Sequence, residues 1–254
     1  MDLTSSYKNH VPSDVQKKYS FAEVRSASAV ICSSCCKEWD SVMQYLSSYE
    51  LKTKELMTPG GSKSQVVSSL EQLFYNDGWY ETRVDTEQLI YKVIKRTGEY
   101  TPLKLSGFDL TKRLQLKDTE SSIEFSTVFQ EGYLVDAIKG RLAVDIEWNA
   151  KDGNLDRDIS AYRAWYELGL IDGAILITKE MESCRLLVKK IWNDYLGKHP
   201  DASKNPPVNL GTTTTTSLEK ATERIKRGDG GGCPILIIGI TDRCWDGKPY
   251  RKPL

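Results

Sequence analysis

Two neighbouring stretches near the middle of the chain alternate apolar and polar residues. Tyr133 to Ile138 and Leu142 to Trp148 read as strands joined by a turn at Lys139-Gly140-Arg141. In the second, Leu142, Val144, Ile146 and Trp148 alternate with Ala143, Asp145, Glu147 and Asn149, a period of two with one apolar face. The period then lengthens. Leu155, Ile159, Tyr162 and Tyr166 recur at helical spacing, predicting an amphipathic helix over 154–168 that Gly169 ends. Gly173 to Thr178 is a short apolar strand of the kind found inside a covered sheet. A further helix runs from about Glu180 to Tyr195, with Cys184, Val188, Ile191 and Tyr195 on one stripe.

The flanks read less sharply. Residues 14–50 have few breakers and predict helix. Thr58 to Ser62 is a turn or linker, and Val66, Val67, Leu70, Leu73 and Phe74 mark a helix over 64–76 that Asp77-Gly78 stops. Residues 79–130 are mixed. Residues 197–216 form a loop with prolines and a run of threonines. Ser217 to Lys220 resembles a capping box displaced by one, opening a short basic helix. Gly228 to Gly232 is a flexible turn that lacks the lysine and the strand-then-helix context of a phosphate-binding loop. Pro234 to Ile240 is the last core strand. The order predicts an α/β fold, a central mixed sheet flanked by helices, with no internal repeat.

The chain has 254 residues, 39% hydrophobic and 28% charged, enough for one substantial core. No apolar run approaches the ~20 residues of a membrane span. Met1 to Thr4 opens no basic-then-apolar leader, so a soluble, cytoplasmic protein is expected. With 35 basic and 35 acidic residues, net charge is zero. That argues against a non-specific nucleic-acid coat and leaves room for a specific DNA binder. A basic stretch from Lys92 to Lys117, which includes Tyr100 and Phe108, is either a phosphate-facing surface or a solvated face. Cys32 and Cys35 have the spacing of half a zinc site. The only histidines are His10 and His199, and six free thiols in a reducing compartment is the plainer reading.

Candidate chemistry concentrates in Asp136, Asp145 and Glu147. Asp145 and Glu147 lie two apart on one strand and share a face. Asp136 joins them if the hairpin loop has even length, because an odd loop turns it to the other side. Three carboxylates so close repel unless a cation sits among them. Oxygen-only ligands suit magnesium or manganese, which bind phosphate oxygens and lower the pKa of a bound water. These are parts for phosphodiester hydrolysis. The plain alternative is a solvated acidic sheet face.

The segment from Val135 through Asp136, Lys139, Arg141, Asp145 and Glu147 to Trp148 resembles the core of type II restriction endonucleases of the BglII/BstYI family. That family belongs to the PD-(D/E)xK nuclease superfamily and is related to BamHI. The spacing of nine, then two, matches. The resemblance continues through Asp156 to Tyr162 and Leu170 to Ile177, and thinly at Gly78-Trp79 and Gly232 to Ile240. It implies a restriction-endonuclease-like α/β core in a single nuclease domain over 1–254. Residues 1–62 would be a helical subdomain or dimerisation region, and 64–242 the catalytic core. It further implies a bacterial or archaeal homodimer that cuts double-stranded DNA at a short palindrome, with a GATC-containing site favoured. Mg2+ would be the cofactor, with Mn2+ able to substitute, and a cognate DNA methyltransferase would share the cell.

By the same resemblance Asp136, Asp145, Glu147 and the carbonyl of Ile146 correspond to metal ligands. The chain departs from the pattern at two places. Asp145 stands where those relatives have Glu. Glu147 stands where the superfamily usually has Lys and those relatives Gln, so it reads either as general base or as ligand. Glu120 or Glu124 is a candidate for orienting water. Lys139, Arg141, Asn149, Lys151, Arg157, Thr212, Thr213, Thr214 and Lys220 are expected to face DNA. Two other functions fit the same residues: a nuclease for modified or branched DNA, and a non-catalytic DNA-binding protein.

Overall fold

The computed structural model describes residues 1–59, 64–95, 121–151, 153–210 and 215–252, with backbone alone for 91–95 and 121–125. Most of the basic stretch, from Arg96 to Lys117, lies outside the described residues. The chain divides into two units, Met1–Arg83 with Tyr133–Leu254, and Val84–Gly132.

In the first unit α1 (Tyr7–His10) and α2 (Ser13–Lys18) precede strand β1 (Tyr19–Val24). Helices α3 (Ala27–Ser34), α4 (Cys36–Ser48), α5 (Thr53–Leu56) and α6 (Gln65–Tyr75) lead to β2 (Tyr80–Arg83). The second unit is a two-stranded antiparallel ribbon, β3 (Thr86–Lys95) with β4 (Ser121–Gln130). The first unit resumes with β5 (Leu134–Lys139), β6 (Leu142–Ile146), α7 (Gly153–Glu167), β7 (Gly173–Lys179), α8 (Met181–Leu196), α9 (Leu218–Arg227) and β8 (Ile235–Ile240). The sheet order is β1-β8-β7-β6-β5-β2, mixed, with β6, β7 and β8 parallel at its centre.

The predicted elements from Tyr133 onward are present with ends shifted by one or two residues. The uniform helix expected over 14–50 is corrected. Tyr19–Val24 is an edge strand, antiparallel to β8, and Cys35 separates two helices. Pairing with β8 overrides a weak helical preference there. Glu23, fully buried on this strand, fastens the segments on either side of it. Its carboxylate accepts from the backbone N–H groups of Ser6, Tyr7 (3.3 Å) and Ser28 (2.9 Å) and from Thr4 Oγ1 (3.2 Å). One side chain thus satisfies the starts of both α1 and α3.

The central strands are buried on both faces, but the faces differ. Val144, Ile146, Ile175, Ile177, Leu236 and Ile238 share one side and join the main core with Ile31, Trp39, Leu70, Phe74 and Ile191. Each such side chain, fully buried, contributes about 1.5–3 kcal/mol. The other side carries Ala143, Asp145, Ala174, Leu176, Ile235 and Ile237, with α7 and α9 over it. Helix α9 approaches so closely that a Cβ on Gly239 would sit 2.9 Å from Leu218 Cδ2, so any side chain there would displace Leu218. Among the described residues no helix is long and apolar enough to cross a membrane. The six cysteines form no disulfide.

Candidate active site

Strands β5 and β6 pair Ala137 with Val144, Ile138 with Ala143 and Lys139 with Leu142. The loop is therefore two residues, Gly140-Arg141, with Gly140 at φ 56, a backbone conformation that favours glycine. An even loop continues the register so that Asp136 stands across from Asp145. The carboxylates then replace ladder bonds. Asp136 N–H donates to Asp145 Oδ1 (2.8 Å), and Ile146 N–H donates to Asp136 Oδ2 (2.9 Å). The structure thus brings Asp136 and Asp145 together at the end of a hairpin. Glu147 follows one residue beyond β6, its N–H bonded to the Ile177 carbonyl (2.8 Å).

Two residues of α7 complete this cluster. Tyr162 Oη donates to Asp145 Oδ2 (2.5 Å), both groups buried. Asp158 is also buried, 1% exposed, and its Oδ1 accepts from Arg157 Nε (3.2 Å). Its other oxygen has no hydrogen-bond donor among the described residues. Arg157 Nη2 reaches within 3.9 Å of Glu147 Oε1, and the guanidinium lies over the Tyr133 ring. Four carboxylates thus share a largely dry site with one nearby guanidinium.

The electrostatics follow from that crowding. Burial, then the charges of Asp158 and Asp136, push the Asp145 carboxyl well above the usual carboxylate range. Burial, with Asp136 and Asp145, pushes Glu147 up to about 7. Burial, with Glu147, pushes Asp158 up to about 8. Among the described residues the site is short of positive charge.

On the opposite face the strand end is anchored by Lys179, fully buried. Its ammonium donates to the Trp148 carbonyl and to Asn149 Oδ1 (3.4 Å), and burial pulls it down to about 8. Thr178 belongs to the carboxylate face, since Leu176, two residues earlier, is paired with Asp145. Its hydroxyl is buried and has no hydrogen-bond partner among the described residues.

The expected DNA-facing residues divide. Lys151 pairs with Thr215, Thr216 N–H bonds the Ala150 carbonyl (3.0 Å), and Lys220 Nζ donates to the Thr215 carbonyl (2.8 Å). Ser217 caps α9, accepting from Lys220 N–H (3.4 Å). The start of α9 is thereby held beside the segment that follows Glu147, with Arg157 on the adjoining α7. Lys139 and Arg141 are instead engaged at the other end of the hairpin. Lys139 pairs with Asp77 (2.8 Å), and Arg141 with Asp172 (2.7 Å) and the Gly169 carbonyl (2.7 Å). Thr212, Thr213, Thr214 and Glu120 lie outside the described residues. Glu124 is on β4 in the second unit.

Sequence reasoning missed Asp158, Tyr162 and Thr178 on the carboxylate face, and Lys179 behind the strand end. One signal was present. Asp158 falls on the apolar stripe of α7, between Leu155 and Tyr162, and an acid in that position is seldom buried without a purpose.

The sequence profile described as restriction endonuclease BglII/BglIII matches residues 19–240. The chain belongs to the BglII/BglIII restriction endonuclease family. No curated protein matches it in a direct sequence comparison. The match takes in β1 through β8 and every residue of the carboxylate cluster. Membership assigns the chain to the DNA nucleases of restriction systems.

Restriction endonucleases of this kind generally use a divalent metal ion. In the arrangement described, Asp136, Asp145 and Asp158 are held by protein donors. No three acidic, histidine or cysteine side chains among the described residues are arranged to close on one ion. The donor chemistry nevertheless fits a hard cation. It is all oxygen, it is short of positive charge, and Asp158 presents a buried oxygen to which nothing among the described residues donates.

Proposed function

We propose that this chain is a type II restriction endonuclease that hydrolyses phosphodiester bonds of double-stranded DNA at a short palindromic site, dependent on Mg2+. The supporting observation is the cluster of Asp136, Asp145 and Glu147 on one face of a hairpin end, within a chain of the BglII/BglIII family. Asp136, Asp145 and Glu147, with the Ile146 carbonyl, are the groups that would hold the cation, and Mn2+ would serve in its place. When bound, the ion supplies charge neutralisation at the phosphate and a more acidic water.

The chain's own residues do the rest. Tyr162 and the Asp136 N–H orient the two oxygens of Asp145. Ile146 N–H orients Asp136. Where Asp136, Asp145 and the Ile146 carbonyl hold the ion without it, Glu147 is instead the carboxylate placed to accept a proton from an attacking water. Lys151, Asn149, Arg157, Lys220 and the start of α9 form the phosphate-facing surface around the strand end. A homodimer matches a palindrome by its two-fold symmetry, and a methyltransferase of the same specificity would protect host DNA. A GATC-containing target is the favoured site.

The test is incubation with unmethylated plasmid DNA, with Mg2+ or with chelator, beside Asp145→Ala. Discrete fragments that require Mg2+ and vanish in the variant are expected, and sequencing their ends gives the target. Cleavage confined to methylated or branched DNA would assign the nuclease another substrate. DNA binding without cleavage under any divalent ion would overturn the proposal.

A further inference from the structure

Arg157 is the cation that stands beside both Glu147 and Asp158. It is fastened at one end. Nε donates to Asp158 Oδ1 (3.2 Å), and Asp158 is buried on the inner stripe of α7, where its position is fixed by packing. The other end lies over the Tyr133 ring and is partly in solvent. The Arg157 side chain is 40% exposed, and its Nη2 stands 3.9 Å from Glu147, too far for a hydrogen bond and close enough for a strong charge interaction. The guanidinium therefore sits at the mouth of the carboxylate cluster, between its acids and solvent.

We propose that Arg157 is a catalytic residue that receives the scissile phosphate, that Asp158 is its positioning residue, and that without DNA the guanidinium occupies the charge deficit of Glu147 and Asp158 in competition with the divalent ion. This rests on the reading of the site as a cation-dependent phosphodiesterase. The guanidinium exchanges one anion for another. A guanidinium satisfies a carboxylate or a phosphate with the same fork of donors. A duplex phosphate drawing the Nη groups outward removes positive charge from Glu147 and leaves its oxygens to a metal. The ion and the DNA then favour each other's binding, and the coupling must be reciprocal.

The test uses the full-length protein with Mn2+, free ion being counted by its paramagnetic resonance. The DNA probe is the cleaved product duplex, which cannot be cut again. In the wild type, product duplex is expected to tighten Mn2+ binding about 5- to 10-fold. Arg157→Gln is expected to bind Mn2+ more tightly than wild type in the absence of DNA, by a similar factor, and to lose the DNA effect. Arg157→Lys, which keeps the charge, should stay close to wild type without DNA. Thermal melts of each variant confirm folding. If Arg157→Gln binds Mn2+ no more tightly than wild type without DNA, or keeps the full DNA effect, the proposal is overturned while the nuclease reading stands. If no chain binds Mn2+ with or without DNA, the cation-dependent reading falls and this proposal with it.

Discussion

Glu23 and the group of buried Asp145 and Asp158 with half-buried Glu147 are carboxylates of one sheet-centred unit, and they are treated in opposite ways. Glu23 sits at the edge strand with its oxygens filled by backbone N–H groups and a hydroxyl. Burial pushes its carboxyl up, but the hydrogen bonds from Ser28 and Ser6 outweigh that and hold it below the usual range. The hairpin-end acids lie against one another, with few donors and one guanidinium, and their carboxyls are pushed up. The first arrangement uses a charge to fasten two helices. The second keeps charge unbalanced, which a packed fold tolerates where a ligand is to supply the balance.

The comparison predicts separable consequences. The largest is at Asp145. Asp145→Asn should reduce cleavage by about a thousandfold, equivalent to about 4 kcal/mol, while leaving the melting temperature unchanged or higher, because a buried like charge is removed. A large fall in stability would show that Asp145 is as structural as Glu23. Next is Glu23→Gln, which should cost about 2–3 kcal/mol in denaturant unfolding, since a charged acceptor of several N–H groups is lost. A neutral result would erase the distinction.

Stability against pH, measured by thermal melts without divalent ion, should show both signs. Glu23 has a depressed folded pKa, so its contribution is present above the carboxylate range and is lost as pH falls through it. Glu147 and Asp158 have raised folded values of about 7 and about 8. Their contribution is present at low pH and is lost as pH rises from the ordinary carboxylate range through those values. A rise in melting temperature across neutral pH would contradict this assignment. The smallest effect is at Tyr162. Tyr162→Phe leaves Asp145 with one donor fewer and should cost about 1 kcal/mol and a few-fold in rate, checked by melts and initial velocities.

Much of this site is legible in the order of residues alone. Period-two alternation and the switch to helical spacing locate β5, β6, α7 and β7, and put Asp145 and Glu147 on one face. The side taken by Asp136 depends on the loop length, which the sequence leaves open and the pairing of Lys139 with Leu142 fixes at two residues. Those signals are local, and each is consistent with its neighbours. The edge strand β1 is not legible in that way, because a six-residue strand inside helix-tolerant composition is specified by its partner β8, far along the chain. Asp158 is hidden for a different reason. Its meaning depends on which way α7 faces, and that only becomes definite once Tyr162 is found on Asp145.

The pairing of β1 with β8 also bears on how the enzyme comes into being. Tyr19 meets Ile240 and Val24 meets Ile235, so almost the whole intervening chain must be synthesised before the first strand finds its neighbour. Contacts this distant in sequence close late. Until β8 has been made, the sheet that carries the acids lacks the strand that joins β1 to β7, and a DNA-cutting activity assembles only after that strand has left the ribosome.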